Sequence, residues 1–140
     1  MAQLQQSSGY SGTPLAKKLG MKAGSVIKLV NAPIHYLDLF TDIPLDVRFE
    51  DGKNEKKNLI HFFTKQAEEL FTLLPVLKQE IAQDGMIWVS WPKKASKVLT
   101  DITEDTIRNY AISIGLVDIK VCAVDEVWSG LKLVIPVKDR

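Results

Sequence analysis

Apolar residues in this chain fall into two patterns, and the alternation between them predicts the order of elements. Residues 25–30 (SVIKLV), 59–63 (LIHFF) and 86–91 (MIWVSW) are short, nearly continuous apolar runs. Their length and β-branched or aromatic content read as strands buried on both faces. Residues 45–49 read as a short second strand. Elsewhere apolar residues recur at helical spacing, at Ala67, Leu70, Phe71, Leu74, Leu77 and Ile81, and again at Ile107, Tyr110, Ala111 and Ile114. In residues 117–124 Val117, Ile119, Val121 and Ala123 alternate with Asp118 and Lys120, the pattern of a half-exposed strand near a sheet edge. Residues 131–135 close a hairpin with it.

Capping and breaking residues set the boundaries. Thr13-Pro14 opens a helix over residues 14–19, and Gly20 stops it. Residues 34–40 form a helical turn, and residues 50–58 form a charged loop. Thr64 caps the second helix. Pro75 either kinks that helix or opens a second one abutting it, and Asp84-Gly85 ends it. The third helix has several possible caps, with Asp101 and Glu104 at capping-box spacing, and Gly115 closes it. Residues 1–12 (MAQLQQSSGYSG) are polar and aperiodic and read as a mobile arm. Residues 13–140 then form a single domain.

Strands alternating with helices imply a mostly parallel sheet covered on both faces, with a final antiparallel hairpin. The fold class is therefore α/β, a three-layer Rossmann-like sandwich. Residues 59–137 carry a strand ending at Thr64, a helix, a Trp-rich strand, a helix ended by Gly115-Leu116 and a terminal hairpin. This stretch resembles the second half of class I SAM-dependent methyltransferases. In that family the last strand inserts between two earlier ones, and the resemblance implies sheet order 2-1-3-4-6-5. The segments YSGTPLAKKLGMKAGS, VSWPKKASKVLTDITED and GLVDIKVCAVDEVWSGLKLVIPV also resemble a family of small bacterial proteins, DUF3052, that brings no assigned activity with it.

Composition narrows the function classes. The 140 residues carry 18 Lys+Arg against 17 Asp+Glu, a net charge of +1, so no nucleic-acid partner is expected. No apolar run reaches the ~20 residues of a membrane-spanning helix, and the N-terminus has no signal-peptide pattern, so no membrane partner and a cytoplasmic location are expected. Cys122 is the single cysteine, which excludes an intrachain disulfide. A His/Cys metal centre would need His35, His61 and Cys122 to converge, and no metal is expected. The half-exposed strand 117–124 is the route by which the chain would form a homo-oligomer.

In open α/β sheets ligands bind beyond the carboxyl ends of the strands. That rule selects Asn31, His35 and Tyr36 after the first strand, Thr64 after the third, Ser90, Trp91, Lys93, Lys94 and Lys97 after the fourth, and Trp128 in the final turn. Methyltransferase-like folds place a glycine-rich turn after the first strand, and here residues 31–36 (NAPIHY) hold no glycine. SAM is the cofactor that the resemblance raises, but with that loop missing no cofactor and no catalytic residue are assigned. The sequence reads as a non-catalytic binding or interaction module. The alternative is an enzyme or sensor that holds a small anion (a nucleotide, a SAM-like molecule or phosphate) on Lys93 and Lys94 beside Trp91. Against that stands a solvated basic turn whose lysines neutralise Asp101, Glu104 and Asp105. His61, inside an apolar strand, reads as a hydrogen-bonded core histidine. Trp88 and Trp91 are three apart and face opposite sides of the sheet. Two residues fit poorly: Lys28 in a buried strand needs a partner, and Pro136 sits near the end of a central strand.

Overall fold

The computed structural model describes residues 13–140; the N-terminal arm expected over residues 1–12 lies outside the described residues. The elements in chain order are α1 (Leu15–Leu19), β1 (Val26–Val30), β2 (Arg48–Phe49), β3 (Lys57–Phe63), α2 (Ala67–Lys78), β4 (Ile81–Pro92), α3 (Glu104–Ser113), β5 (Val117–Ala123) and β6 (Trp128–Val134). They build a six-stranded sheet in the order β2-β1-β3-β4-β6-β5. β2, β1, β3 and β4 are parallel, and β6 is antiparallel to both β4 and β5. This is the Rossmann-like α/β architecture and strand order that the sequence led us to expect.

The two faces of the sheet bury separate cores. On one, Ile60, Phe62, Ile87, Val89, Trp91, Leu131 and Leu133 pack against α2 and α3. On the other, Ile27, Leu59, Phe63 and Trp88 pack against α1 and a 3-10 turn at Tyr36–Leu39. Trp88 and Trp91 thus face opposite layers, as strand alternation requires. Lys28 finds its partner in Glu80 at 2.7 Å, both largely buried. Pro136 falls after β6 has ended and opens a final 3-10 turn, so no ladder bond is lost.

Several boundaries differ from expectation. α1 begins at Leu15, with Pro14 rather than Thr13 in the capping position. β2 has shrunk to two residues. α2 starts three residues beyond Thr64, with Gln66 at the cap. Its first free amide, on Ala67, is satisfied from far along the chain by Asp101 Oδ1 at 2.7 Å. Pro75 sits inside one continuous helix. Having no N–H, it frees the carbonyl one turn back, and the Tyr110 hydroxyl of α3 donates to that oxygen, on Phe71, at 2.9 Å. The capping box of α3 joins Thr103 and Thr106, not Asp101 and Glu104.

The largest correction concerns Asp84-Gly85, which lies inside β4 rather than at a helix stop. Ile81 pairs with Lys57, while the next pair is Leu59 with Met86, so β4 bulges between them. Gly85 is required by that bulge. A Cβ there would stand 2.8 Å from the Lys57 carbonyl and 3.0 Å from that of Ala82, both backbone atoms. Gly85→Ala is expected to destabilise the protein by about 1–3 kcal/mol through this overpacking. Chemical denaturation would show the loss, and an unchanged midpoint would mean that the bulge is not held as described.

β5 is an edge strand, with a register shift between Asp118 and Lys120. A bulge and an exposed lysine on an edge both work against strand-to-strand association.

Candidate functional site

Parallel strands β1 and β3 lie side by side, but the chain leaves them in opposite directions, from β1 outward to β2 and from β3 inward to β4. Their carboxyl ends therefore diverge and open a crevice, the topological switch point at which open α/β sheets take ligands. The crevice has a volume of about 480 Å³, and its walls come from Asn31, Pro33, Phe63, residues 64–66, Glu69 and Trp128.

Each wall has a local origin. Asn31 ends β1 in the left-handed region at φ 57°, a conformation asparagine tolerates better than most side chains. Its Nδ2 donates to the Phe63 carbonyl at 3.2 Å, tying the ends of β1 and β3 together as the floor. Thr64 donates from Oγ1 to Glu69 Oε1 at 2.6 Å, which holds the first turn of α2 against the end of β3. Trp128 stands edge-on to the Phe63 ring, with centroids 5.0 Å apart, and makes an aromatic wall. The turn before it is fixed by Asp125, whose Oδ1 accepts from the amides of Val127 and Trp128 at 2.8 and 2.7 Å. Thr100 donates from its hydroxyl to the Lys65 carbonyl at 2.7 Å and pins its own loop to the crevice rim.

Behind Phe63 lies a polar chain sealed from solvent. The Tyr36 hydroxyl meets His61 Nδ1 at 2.9 Å, and His61 Nε2 meets Ser90 Oγ at 2.7 Å. All three residues are buried. A neutral imidazole donates at one nitrogen and accepts at the other, so the three form one directional chain. Phe63 stacks on the imidazole at 4.2 Å. Burial alone lowers the His61 pKa to about 3, and burial also raises that of the Tyr36 hydroxyl. The chain therefore stays uncharged at neutral pH and supports the crevice from below rather than lining it.

The structure distributes the sequence-selected residues unevenly. Asn31, Thr64 and Trp128 share the crevice. Tyr36 and Ser90 join His61 beneath it, whereas His35 is exposed on the surface. Trp91 is buried in the α2/α3 layer. Lys93, Lys94 and Lys97 lie on the next loop, which turns through a 3-10 segment at Lys94–Ser96. They do not neutralise the acidic helix start: Glu104 and Asp105 pair with Arg108, which also reaches Asp118 at 3.0 Å. Phe63, Lys65, Gln66 and Glu69 were not selected from sequence. Placing the start of α2 at Thr64 hid Lys65 and Gln66, because it turned a strand-end loop into helix.

Among the described residues no cluster of three or more His, Cys, Asp or Glu side chains could hold a metal ion. No helix there is long and apolar enough to cross a membrane.

Comparison with solved structures places the fold among class I methyltransferases. The ribosomal protein L11 methylase of Lactobacillus delbrueckii subsp. bulgaricus superposes with a TM-score of 0.55 at 14% identity, over 85% of this chain and 74% of that one. Magnesium protoporphyrin IX methyltransferase from Synechocystis, solved with bound SAH, gives 0.55 at 12% identity over 86% and 78%. An O-methyltransferase from neocarzinostatin biosynthesis, solved with SAM, gives 0.58 at 10% identity, but this chain spans only 49% of its length. The fold is methyltransferase-like. No family model and no curated protein matches the sequence, so the resemblance to the small bacterial family finds no support there.

Proposed function

We propose that the protein is a non-catalytic binding module that takes a small planar molecule, of the nucleoside class, in the crevice between the ends of β1 and β3. The observation that carries this reading is the position of the crevice at the topological switch point. Its volume, about 480 Å³, lies within the usual range of small-ligand sites. An aromatic wall at Trp128 and Phe63 suits a flat ring, and Asn31, Gln66 and Glu69 supply polar groups to orient it.

SAM itself does not fit the loop after β1 well. Pro33 has no N–H to offer, and one N–H of the Asn31 side chain is committed to the Phe63 carbonyl, which leaves its Oδ1 for a ligand. The loop holds no glycine to give such a cofactor the close backbone approach of a glycine-rich turn, and we derive no methyl transfer. The crevice walls offer groups for recognition, and His61, behind Phe63, is buried and neutral.

A thermal-unfolding screen with adenosine, SAM, SAH and other planar metabolites tests this. A compound present at 100 times its Kd is expected to stabilise the protein by about 2.7 kcal/mol. Trp128→Ala is expected to weaken that compound at least about tenfold, given the ~1–3 kcal/mol that stacking contributes per base. Binding that survives Trp128→Ala would place the site elsewhere, and methyl transfer from SAM to any acceptor would overturn the non-catalytic reading.

The second reading, an enzyme or sensor holding a small anion on Lys93, Lys94 and Lys97, has one observation in its favour. None of the three pairs with a carboxylate among the described residues. Trp91 would not take part, because its indole is packed in the core. Stabilisation by inorganic phosphate that disappears in Lys93→Ala/Lys94→Ala would favour this reading over the first.

A further inference from the structure

A second concavity lies on the face covered by α1, away from the crevice. A groove of about 530 Å³ runs between α1 and the edge strand β5, with Lys17 and Lys18 on one wall and Lys120, Val121 and Cys122 on the other. Lys120 is also the cross-strand partner of Lys132 on β6, so the two side chains rise from the same face of the sheet. Directly opposed residues have Cβ atoms only ~4.5–5.5 Å apart, and like charges in that position destabilise a sheet. Among the described residues no carboxylate pairs with Lys17, Lys120 or Lys132. The Lys132 ammonium is held below the usual lysine range, by burial first and then by Lys120 and Lys22. A chain with a net charge of only +1 thus leaves Lys17 and Lys120 at the groove, and Lys132 beside Lys120, without a carboxylate partner among the described residues.

We infer that this groove is an anion site for a small ligand carrying two or more phosphate groups. Lysines on both walls let adjacent phosphates be held from opposite sides, and a compact ammonium binds phosphate as a point charge. Among the described residues no aromatic side chain lines the groove, so it reads charge rather than a base. The bound anion relieves the repulsion between Lys120 and Lys132.

Thermal unfolding at low ionic strength with inorganic tripolyphosphate tests the inference. Tripolyphosphate raises the melting temperature, and sodium chloride at matched ionic strength does not reproduce the shift. Lys120→Gln/Lys132→Gln raises the melting temperature of the ligand-free protein, because the repulsion is gone, and weakens tripolyphosphate on the order of tenfold or more. Lys17→Gln weakens it from the other wall. Lys53→Gln/Lys138→Gln makes the same change in net charge at exposed positions elsewhere and leaves the affinity as it was. A nucleoside triphosphate arm, run in the Trp128→Ala variant so that the crevice does not contribute, separates two sources of this chemistry: equal affinity assigns the groove to the phosphate chain itself, and tighter binding assigns it to a nucleotide. An equal shift in chloride, or one that persists in both Lys120→Gln/Lys132→Gln and Lys17→Gln, overturns the inference.

Discussion

On acidification from about pH 6.5 towards pH 3, the protein is expected to lose stability at about 1.4 kcal/mol per pH unit through His61 alone. The folded pKa of this histidine is about 3, against 6.5 for the free side chain. Within that window the unfolded chain binds a proton that the folded chain refuses, so stability rises with pH. The contribution is complete above about pH 6.5 and is lost as pH falls. The hydrogen bonds do not by themselves forbid the charged ring, since the hydroxyls of Tyr36 and Ser90 can both accept. Burial forbids it: the ring has no exposed surface, and its recorded partners are hydroxyls, not carboxylates. Denaturant titrations in the upper part of the window, above the usual carboxylate range, measure the slope before acidic residues add to it. His61→Gln should flatten it. Should that variant fail to fold, the imidazole carbon shifts of His61 in the intact protein serve instead. They are expected to stay in the neutral form to below pH 5, and titration near 6.5 would mean that the ring is not sealed.

Trp88→Ala is expected to cost about 3–5 kcal/mol, a large part of the roughly 5–15 kcal/mol that holds a domain together. Trp88 is fully buried at the centre of β4 and packs on the layer that contains α1 and Tyr36. Its indole Nε1 donates to the Leu19 carbonyl at 2.8 Å. That carbonyl belongs to the last residue of a five-residue helix, where no further turn can satisfy it. Trp88 therefore supplies both packing and the terminal hydrogen bond that docks α1 on the sheet. Trp88→Phe retains most of the apolar area and strands the Leu19 carbonyl, so it should cost less, about 1–3 kcal/mol. Urea unfolding of the two variants separates the contributions. A cost below about 1 kcal/mol for Trp88→Ala would mean that α1 does not depend on this contact.

Where sequence and structure part, the cause is local ambiguity resolved by distant contacts. Ile81 lies four residues after Leu77 and continues the helical stripe in phase, yet it belongs to β4. The helix ends early because Glu80 is drawn to Lys28, and Ile81 pairs with Lys57 across the sheet. A single apolar residue at such a junction satisfies either period. Thr64 likewise has the chemistry of a cap, but its hydroxyl goes to Glu69, and the helix amide that needs an acceptor finds Asp101 instead. Misplacing that start concealed Lys65 and Gln66 in the crevice wall.

The sequence by itself determined the α/β class, the places of its main strands and helices, and the carboxyl end of the sheet as the side where a ligand would be sought. These follow from periodicity, which is written in neighbouring residues and needs no knowledge of the rest of the chain. The strand order came from resemblance, and the structure has it. Only the tertiary structure decided that Tyr36, His61 and Ser90 form one uncharged chain, that Asn31 and Trp128 share a crevice, and that Lys120 and Lys132 stand side by side. Such facts depend on burial and on pairing between residues far apart in sequence. Both set the charge state and reach of a side chain, and neither leaves a periodic trace along the chain.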